Sequence, residues 1–280
     1  MKRKFIAFTS PGKVEMKSEK IPEPEKGQVL VKTSFSAISP GTEMLVYSGR
    51  IPEGMDLDSS IPDLQKGFSY PLSYGYCAAG EVIKTGSKSD QSWTGTRVFC
   101  FKPHCNYFLA GINELFPLPE ETSDREAVLL PTMETAINLV QDVQPLLGEK
   151  GLVLGQGVVG IFSTFLLSGF PLQNLICLDK HPLRRRFSIS AGADICLDPE
   201  DTQTGEVLRQ RLQSAPGTEG VDFALELTGN PEALNTALQW VGYAGRIVVG
   251  SWYGNKTCPI HLGGNFHRNR IQLTSSQVST

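Results

Sequence analysis

Short and long apolar segments alternate along the second half of the chain. Residues 152–154 form a short apolar run, residues 161–167 an apolar segment of helical length, and residues 175–178 a second short run. This order predicts strand, helix and strand, and the lack of charge between residues 151 and 178 indicates burial on both sheet faces. Glycines and a proline interrupt the stretch, so it does not fit a continuous membrane span.

A glycine motif lies between the first run and the helical segment. It reads Gly155-Gln156-Gly157-Val158-Val159-Gly160, with the spacing G-x-G-x-x-G. The first glycine allows a tight turn, the second lets a pyrophosphate approach the main chain, and the third permits close packing of helix on strand. The start of the helix presents free N–H groups to phosphate. The pattern therefore predicts a dinucleotide-binding unit, and all six residues are candidate cofactor ligands.

An acidic residue, Asp179, ends the second apolar run at the distance that such a unit requires. Its carboxylate is suited to accept hydrogen bonds from the adenosine-ribose hydroxyls and would repel a 2′-phosphate, so the predicted cofactor is NAD, with Lys180 beside it. The basic run Lys180-His181-Pro182-Leu183-Arg184-Arg185-Arg186 leaves NADP open as the alternative. The same run also fits the solvated face of a helix.

The alternation continues to the end of the chain. Helices are predicted at residues 182–190, 204–213 and 231–240, and strands at 193–197, 221–227, 246–249 and 271–275. Alternating strands and helices predict a doubly wound parallel sheet, which binds ligands at the carboxyl ends of its strands. Further cofactor neighbours are therefore expected after two of these strands, unless they are ordinary loop residues: Thr228, Gly229, Gly250 and Ser251.

The first part of the chain is predicted to be rich in β-strands. Strands are expected at residues 29–33, 79–83 and 96–101, with a surface loop at 50–68 and a small barrel-like arrangement. Ser123 and Glu126 fit a capping box at a helix start, and residues 132–143 predict a second helix. The sequence thus predicts an α/β protein with a β-rich domain at residues 1–122 and a Rossmann domain at residues 123–280.

Composition sets the broad class. The chain has 280 residues, a net charge of −3 and six cysteines without a C-x-x-C pair. These values favour a cytoplasmic protein with reduced thiols, and they argue against nucleic-acid and membrane partners. The basic N-terminus carries too short an apolar run for a signal peptide.

Three segments of the first domain resemble the medium-chain dehydrogenase/reductase superfamily. They are VLVKTSFSAISPGTE at residues 29–43, PLSYGYCAAGEV at 71–82 and GTRVF at 95–99. Within it, SPGTE at 39–43 and PTMETA at 131–136 are similar to the group of bacteriochlorophyllide hydroxyethyl dehydrogenases. The resemblance implies a GroES-like first domain, a Rossmann second domain and hydride transfer. The segment with which the superfamily returns to the first domain has no counterpart here.

The sequence departs from the superfamily at its zinc ligands. Ser39 stands where zinc alcohol dehydrogenases have a cysteine, and Tyr76-Cys77 stand where they have His-Glu. The lobe of four cysteines that holds a structural zinc is missing as well. The prediction is therefore that no metal is bound; the rival is a rearranged site made from Cys77, Cys100, His104 and Cys105.

Without a metal, hydride transfer needs another donor for the substrate oxygen. The Tyr76 hydroxyl is the first candidate, Ser39 and Thr42 are candidates to relay a proton, and Glu134 is a candidate to orient the cofactor or act as base. Each also fits a structural role: a buried ring, a turn residue or a helix-surface carboxylate. His104 is a weaker candidate.

The expected function is an NAD-dependent, zinc-independent alcohol dehydrogenase or carbonyl reductase acting on a small-molecule alcohol or carbonyl. Tyr70, Tyr74 and Tyr76 suggest a bulky ring substrate, and a homodimer is compatible with the resemblance. The alternatives are an NADPH-dependent quinone or enoyl reductase and a non-catalytic nucleotide-binding protein.

Overall fold

A computed structural model describes residues 1–52, 54–55, 67–213 and 219–278. The chain divides into two compact units, one ending at Pro131 and one beginning at Thr132. The division falls in the first turn of helix α3, Leu130–Val143, rather than at the predicted boundary after residue 122.

The first unit is built from antiparallel strands. An N-terminal hairpin precedes a five-stranded sheet of order β6-β3-β4-β5-β7, and the three predicted strands are its centre. The strands are β1 Lys2–Ser10, β2 Lys13–Lys20, β3 Gln28–Ser36, β4 Ala78–Thr85, β5 Arg97–Cys100, β6 Tyr107–Gly111 and β7 Phe116–Pro117. Alternate side chains of these strands form the core of the sheet, among them Val29, Val31, Val82, Val98 and Phe108.

Among the described residues of this unit are two short α-helices. Helix α1, Pro40–Ser48, follows β3 directly, with Ser39 at its N-cap and proline at its first position. Helix α2, Asp124–Ala127, starts at the predicted capping box, in which Ser123 and Glu126 bond reciprocally. Helix α1 therefore brings the Ser-Pro-Gly-Thr-Glu segment to one end of β3.

The second unit is a parallel six-stranded sheet of order β10-β9-β8-β11-β12-β13, with every neighbouring pair parallel. The strands are β8 Lys150–Leu154, β9 Asn174–Leu178, β10 Ile195–Leu197, β11 Val221–Glu226, β12 Val241–Val249 and β13 Gln272–Ser275. The helices, besides α3, are α4 Val158–Ser168, α5 Pro182–Ser190, α6 Thr204–Leu212 and α7 Ala233–Trp240. The predicted doubly wound sheet is confirmed.

The sheet of the second unit is buried on both faces, as the uncharged strands predicted. Leu152 and Leu154 pack into one apolar cluster, and Val153 packs into another. Strand order reverses between β8 and β11, and it is at such a switch point that doubly wound sheets open a ligand crevice.

Some predictions fall on residues that are not described. Most of the predicted loop at 50–68 lies outside the described residues. Within the described part of the chain, no helix has the length and apolarity that a bilayer crossing requires.

Candidate active site

The glycine turn after β8 has the geometry that a dinucleotide requires. Gly155 has a φ of +90°, and a Cβ there would lie 2.7 Å from the Leu227 carbonyl group. A Cβ on Gly160 would lie 2.0 Å from the Gly155 carbonyl oxygen, whereas one on Gly157 would meet no atom within 4 Å. The first and third glycines are therefore required by packing, and the second leaves open space before the first turn of α4, where Val158 and Val159 lie. This arrangement fits a pyrophosphate.

Asp179 lies directly against this turn. Its Oδ2 accepts the Gln156 N–H at 2.8 Å, and its Oδ1 accepts the His181 N–H at 2.7 Å. The residue is buried, with 6 % of its surface exposed. Each oxygen keeps further acceptor capacity after these bonds, so the carboxylate remains suited to bind ribose hydroxyls.

The basic residues after Asp179 divide into two groups. Arg185 is engaged, because its Nη1 donates to the Asp179 carbonyl oxygen and to Asp198 Oδ2, each at 2.9 Å. Arg184 Nη1 lies 3.6 Å from Asp179 Oδ2, with its side chain half exposed, and Lys180 is exposed. A guanidinium therefore accompanies the acid at the edge of the predicted ribose site.

The predicted neighbours after β11 and β12 come together at the same edge of the sheet. The Gly229 N–H donates to Ser251 Oγ at 2.9 Å, and the Gly250 N–H donates to the Glu226 carbonyl oxygen at 3.0 Å. Thr228 donates its N–H to the buried carboxylate of Glu226 at 2.8 Å. A Cβ on Gly155 would lie 2.8 Å from the Thr228 nitrogen. The glycine turn and the Thr228 segment thus adjoin, as the parallel-sheet argument predicted.

In the first unit, three of the four predicted catalytic residues form one hydroxyl cluster. The Tyr76 hydroxyl donates to Ser39 Oγ at 2.7 Å and lies 3.4 Å from Thr42 Oγ1. Ser39 and Thr42 are brought there by the start of α1, and Tyr76 by the segment that leads into β4. Burial raises the pKa of the Tyr76 hydroxyl, and the bonds with Ser39 and Thr42 partly offset that rise. Tyr76 is therefore a neutral hydroxyl at physiological pH.

Two residues that the sequence interpretation underrated lie beside this cluster. Glu43, which was not a candidate, accepts the Ser39 N–H on Oε1 at 2.8 Å. Its Oε2 lies 2.9 Å from Nε2 of His104, whose Nδ1 lies 2.8 Å from Ser36 Oγ. The only signal for Glu43 was its place in the Ser-Pro-Gly-Thr-Glu segment that carried the resemblance.

Glu134 and two of the three candidate tyrosines lie outside the hydroxyl cluster. Glu134 is exposed on α3 in the second unit, so its predicted role stays a prediction. Of the tyrosines proposed to favour a ring substrate, Tyr74 is a core residue with 1 % exposure, and Tyr70 donates its hydroxyl to the Val46 carbonyl oxygen. Tyr76 packs edge-on against Tyr74, with ring centroids 6.1 Å apart.

A catalytic zinc near Tyr76 would need three protein ligands from the side chains around it. Burial and the nearby Glu43 carboxylate raise the pKa of the Cys77 thiol to about 12, which disfavours the thiolate that zinc binds. Over the described residues, no three His, Cys, Asp or Glu side chains converge as metal ligands. The rival set of Cys77, Cys100, His104 and Cys105 is not assembled as a ligand group, and all six cysteines of the chain are free thiols.

Fold and site together define a two-unit oxidoreductase architecture, and comparison with known families identifies it. Residues 25–128 match the alcohol dehydrogenase GroES-like domain, and residues 158–280 match the zinc-binding dehydrogenase family. The chain belongs to the alcohol-dehydrogenase-like medium-chain dehydrogenase/reductase superfamily. The predicted superfamily and fold class are thereby confirmed, and the subgroup stays a prediction.

Characterised relatives are distant in sequence. The chain is similar to D-guloside 3-dehydrogenase of Escherichia coli K12, at 24 % identity over 90 % of this chain and 74 % of that protein. It is also similar to (R,R)-butanediol dehydrogenase of Bacillus subtilis, at 26 % identity over 94 % and 80 %. These relatives support alcohol oxidoreduction as the general class of reaction.

Solved structures share the fold. An alcohol dehydrogenase of E. coli CFT073 in complex with NADH matches with a TM-score of 0.78 at 19 % identity, covering 99 % of this chain and 84 % of that one. A structure described as a zinc-binding dehydrogenase of Sinorhizobium meliloti, bound to NADP, matches with a TM-score of 0.78 at 18 % identity, covering 99 % and 84 %. Both cofactors occur among these neighbours, and the likeness to them shows the fold of this chain.

Proposed function

We propose that the protein is an oxidoreductase that transfers a hydride between NAD(H) and an alcohol or carbonyl substrate. The observation that carries this proposal is the buried Asp179 carboxylate bonded to the N–H of Gln156 inside the glycine turn. This contact ties a ribose acceptor to a pyrophosphate site, which is what binding of an adenine dinucleotide requires.

In this proposal the second unit holds the cofactor. Gly157 and the start of α4 receive the pyrophosphate, and Asp179 receives the ribose. A second group of residues lines the edge of the sheet on the other side of the switch point: Thr228, Gly229, Gly250 and Ser251. The bound cofactor supplies or accepts the hydride; the residues of the chain orient it.

The first unit supplies the group that acts on the substrate oxygen. Tyr76 is a neutral hydroxyl at physiological pH, so it can hydrogen-bond an alcohol or the oxygen of a carbonyl. Ser39 and Thr42 contact that hydroxyl and are the residues along which its proton can shift. Zinc has no part in this mechanism, because the residues at the ligand positions of the superfamily offer hydroxyls and a thiol of high pKa.

An NADPH-dependent quinone or enoyl reductase is the second candidate. It is favoured by one contact, the 3.6 Å approach of Arg184 Nη1 to Asp179, because a guanidinium at the ribose edge suits a 2′-phosphate. NAD remains the choice since the Asp179 carboxylate is fixed at that edge by two main-chain N–H groups, and a fixed negative charge repels phosphate.

The test is a pair of titrations of the full chain, one with NADH and one with NADPH. Binding is measured as quenching of the fluorescence of its three tryptophans. The same sample is then assayed for oxidation of butane-2,3-diol, sorbitol and benzyl alcohol and for reduction of aldehydes and quinones, and its zinc content is measured. Tighter binding of NADH with turnover of an alcohol or aldehyde supports the proposal.

Each contrary result points to a different alternative. Tighter binding of NADPH with quinone turnover indicates the second candidate. NADH binding without turnover of any compound indicates a nucleotide-binding protein, and stoichiometric zinc overturns the metal-free mechanism.

A further inference from the structure

A buried acid–base pair lies beside the hydroxyl cluster, and the proposed reaction does not yet use it. The side chains of Glu43 and His104 are 5 % and 11 % exposed, with Oε2 and Nε2 2.9 Å apart. The pair connects two serines, because Glu43 accepts the Ser39 N–H and His104 Nδ1 bonds with Ser36 Oγ. Ser36 ends β3 and Ser39 caps α1, so the pair spans the turn between these elements.

The pair approaches Tyr76 by two routes. Ser39, which Glu43 holds through its main chain, accepts the Tyr76 hydroxyl at 2.7 Å. His104 also packs under Gly75, the residue before Tyr76, whose φ is +121°. A Cβ on Gly75 would lie 2.8 Å from His104 Nε2, so a residue without a side chain is required there. The main chain before Tyr76 therefore contacts His104, and the Tyr76 hydroxyl contacts Ser39, which Glu43 holds.

A buried carboxylate is costly unless donors satisfy it. Glu43 has two donors, the Ser39 N–H and the His104 ring. If His104 could not donate, the Glu43 carboxylate would keep only the Ser39 N–H as a donor. Its other oxygen, Oε2, would then attract Ser39 or water. Any shift of Ser39 moves the acceptor of the Tyr76 proton.

We propose that His104 is a positioning residue of the reaction: through Glu43 it holds Ser39 as the acceptor of the Tyr76 hydroxyl proton, which leaves the Tyr76 oxygen free to accept a hydrogen bond from a substrate alcohol. The inference rests on the proposed function, in which Tyr76 acts on the substrate oxygen. In the resting cluster the proton of Tyr76 is already directed at Ser39. The Tyr76 oxygen is therefore ready to accept a hydrogen bond from the alcohol form of the substrate.

The ionisation of Tyr76 gives a readout that does not depend on turnover. Burial is the main cause of the raised pKa of this hydroxyl; the hydrogen bonds of Ser39 and Thr42 lower the pKa, and the charges of Cys77 and Glu43 raise it. Ser39 accepts from the neutral hydroxyl but can turn its own O–H toward the phenolate once Tyr76 has lost its proton, so a shift of Ser39 removes a lowering influence and the pKa of Tyr76 is expected to rise. Removal of the Glu43 charge is expected to lower the pKa of Tyr76.

The experiment compares His104→Gln with His104→Asn in the full chain. The amide nitrogen of glutamine extends about as far from the backbone as Nε2 and preserves the bond to Glu43, whereas asparagine reproduces only Nδ1 and loses it. The protein is labelled with [13Cζ]tyrosine, the Tyr76 resonance is assigned with Tyr76→Phe, and its shift is followed with pH. We expect H104Q to match the parent protein and H104N to titrate at higher pH.

A third variant provides a second measurement in case H104N misfolds. Glu43→Gln keeps an acceptor for the Ser39 N–H but carries no charge, so its Tyr76 is expected to titrate at lower pH than in the parent. Equal Tyr76 titrations in H104N and H104Q, or no downward shift in E43Q, would overturn the proposal. Urea unfolding of each variant, compared with that of the parent protein, is the control for intact folding of the first unit.

Turnover separates this inference from the proposed function. With a substrate from the panel above, H104N is expected to lower kcat about tenfold with little change in KM, because a misplaced hydroxyl affects the transition state more than binding, and H104Q is expected to restore it. If the parent protein shows no turnover, the proposed function fails, while the tyrosine titration still decides whether His104 positions Tyr76.

Discussion

The Oδ2 of Asp179 accepts the main-chain N–H of Gln156 at 2.8 Å, so the acid that follows β9 is bonded to the second residue of the glycine turn that follows β8. The side chain of Gln156 is buried as well, and its Oε1 accepts the hydroxyls of Thr164 on α4 and Ser188 on α5. One residue therefore ties the turn, the helix after it and the helix after the acid. A change at Asp179 therefore acts directly on a main-chain contact of the glycine turn.

Asp179→Asn is expected to weaken NADH binding by about tenfold to a hundredfold, since hydrogen bonds to a charged group contribute about 1.5–3 kcal/mol. NADPH binding should weaken less or improve, because the charge that repels a 2′-phosphate is gone. Tryptophan quenching by each dinucleotide measures both effects. Asp194→Asn is the matched control, since Asp194 also accepts a main-chain N–H, that of Leu175 at 2.7 Å, away from the turn. Equal losses for both dinucleotides would contradict the role given to Asp179.

Alanine at the second and third glycines is expected to have opposite consequences. Gly157→Ala meets no atom within 4 Å, and its φ is −67°, so the free energy of unfolding should change by less than about 0.5 kcal/mol. The added methyl group would occupy the space proposed for the pyrophosphate, so NADH affinity should fall about tenfold. Gly160→Ala places a methyl group 2.0 Å from the Gly155 carbonyl oxygen and should destabilise the fold by about 1–3 kcal/mol or more.

Urea unfolding and NADH titration of both variants measure these effects. If G157A lost stability while keeping its NADH affinity, the open space at this turn would have another purpose.

The sequence predicted the second unit better than the first. Most of its strands and helices combine a clear apolar period with a nearby glycine or proline, and predicted bounds such as residues 182–190 agree with α5. Helix α1 was missed because Pro40-Gly41 after a strand resembles a turn, although proline also suits the first position of a helix. The hairpin β1–β2 was missed although Pro11-Gly12 marks its turn.

Local sequence also explains which part of the site was predictable. The glycine turn and Asp179 lie within one strand–helix–strand unit, so their spacing alone placed them together. Glu43 and His104 are 61 residues apart in the chain and meet only because α1 and the segment before β6 converge on Tyr76. No local period carries such a contact. Tyr76, Ser39 and Thr42 were linked in advance only through the resemblance to a family.

Tyr76→Phe is expected to lower kcat for carbonyl reduction about a hundredfold, because it removes the donor for the developing alkoxide. NADH affinity should be unchanged, since the residues proposed to hold the cofactor lie in the second unit. Burial raises the pKa of Tyr76, so the donor stays protonated below its ordinary pKa and is lost only as pH rises through the raised value. The reduction rate of the parent should therefore show no Tyr76-dependent change between about pH 6 and pH 9. A variant that retained the parental kcat would exclude Tyr76 as the donor.

Cys77 is expected to make the stability of the protein depend on alkaline pH. Burial and the Glu43 carboxylate raise the pKa of this thiol from 9.0 to about 12 in the folded state. Above pH 9 the unfolded chain loses the Cys77 proton while the folded chain keeps it, so the unfolded state binds fewer protons and stability falls as pH rises. The contribution is fully present below pH 9.0, decreases by about 1.4 kcal/mol per pH unit toward pH 12, and is absent above that value.

Two variants test this dependence, because neither alanine nor serine titrates. Urea unfolding at pH 8 and pH 10 should show the parent losing about 1.4 kcal/mol more than Cys77→Ala or Cys77→Ser over this interval. Other buried thiols, such as Cys105, remain in all three proteins, so the difference belongs to position 77. Parallel losses in all three proteins would mean that Cys77 ionises in the folded state as readily as in the unfolded chain, and the thiolate required by a metal would then be accessible at this position.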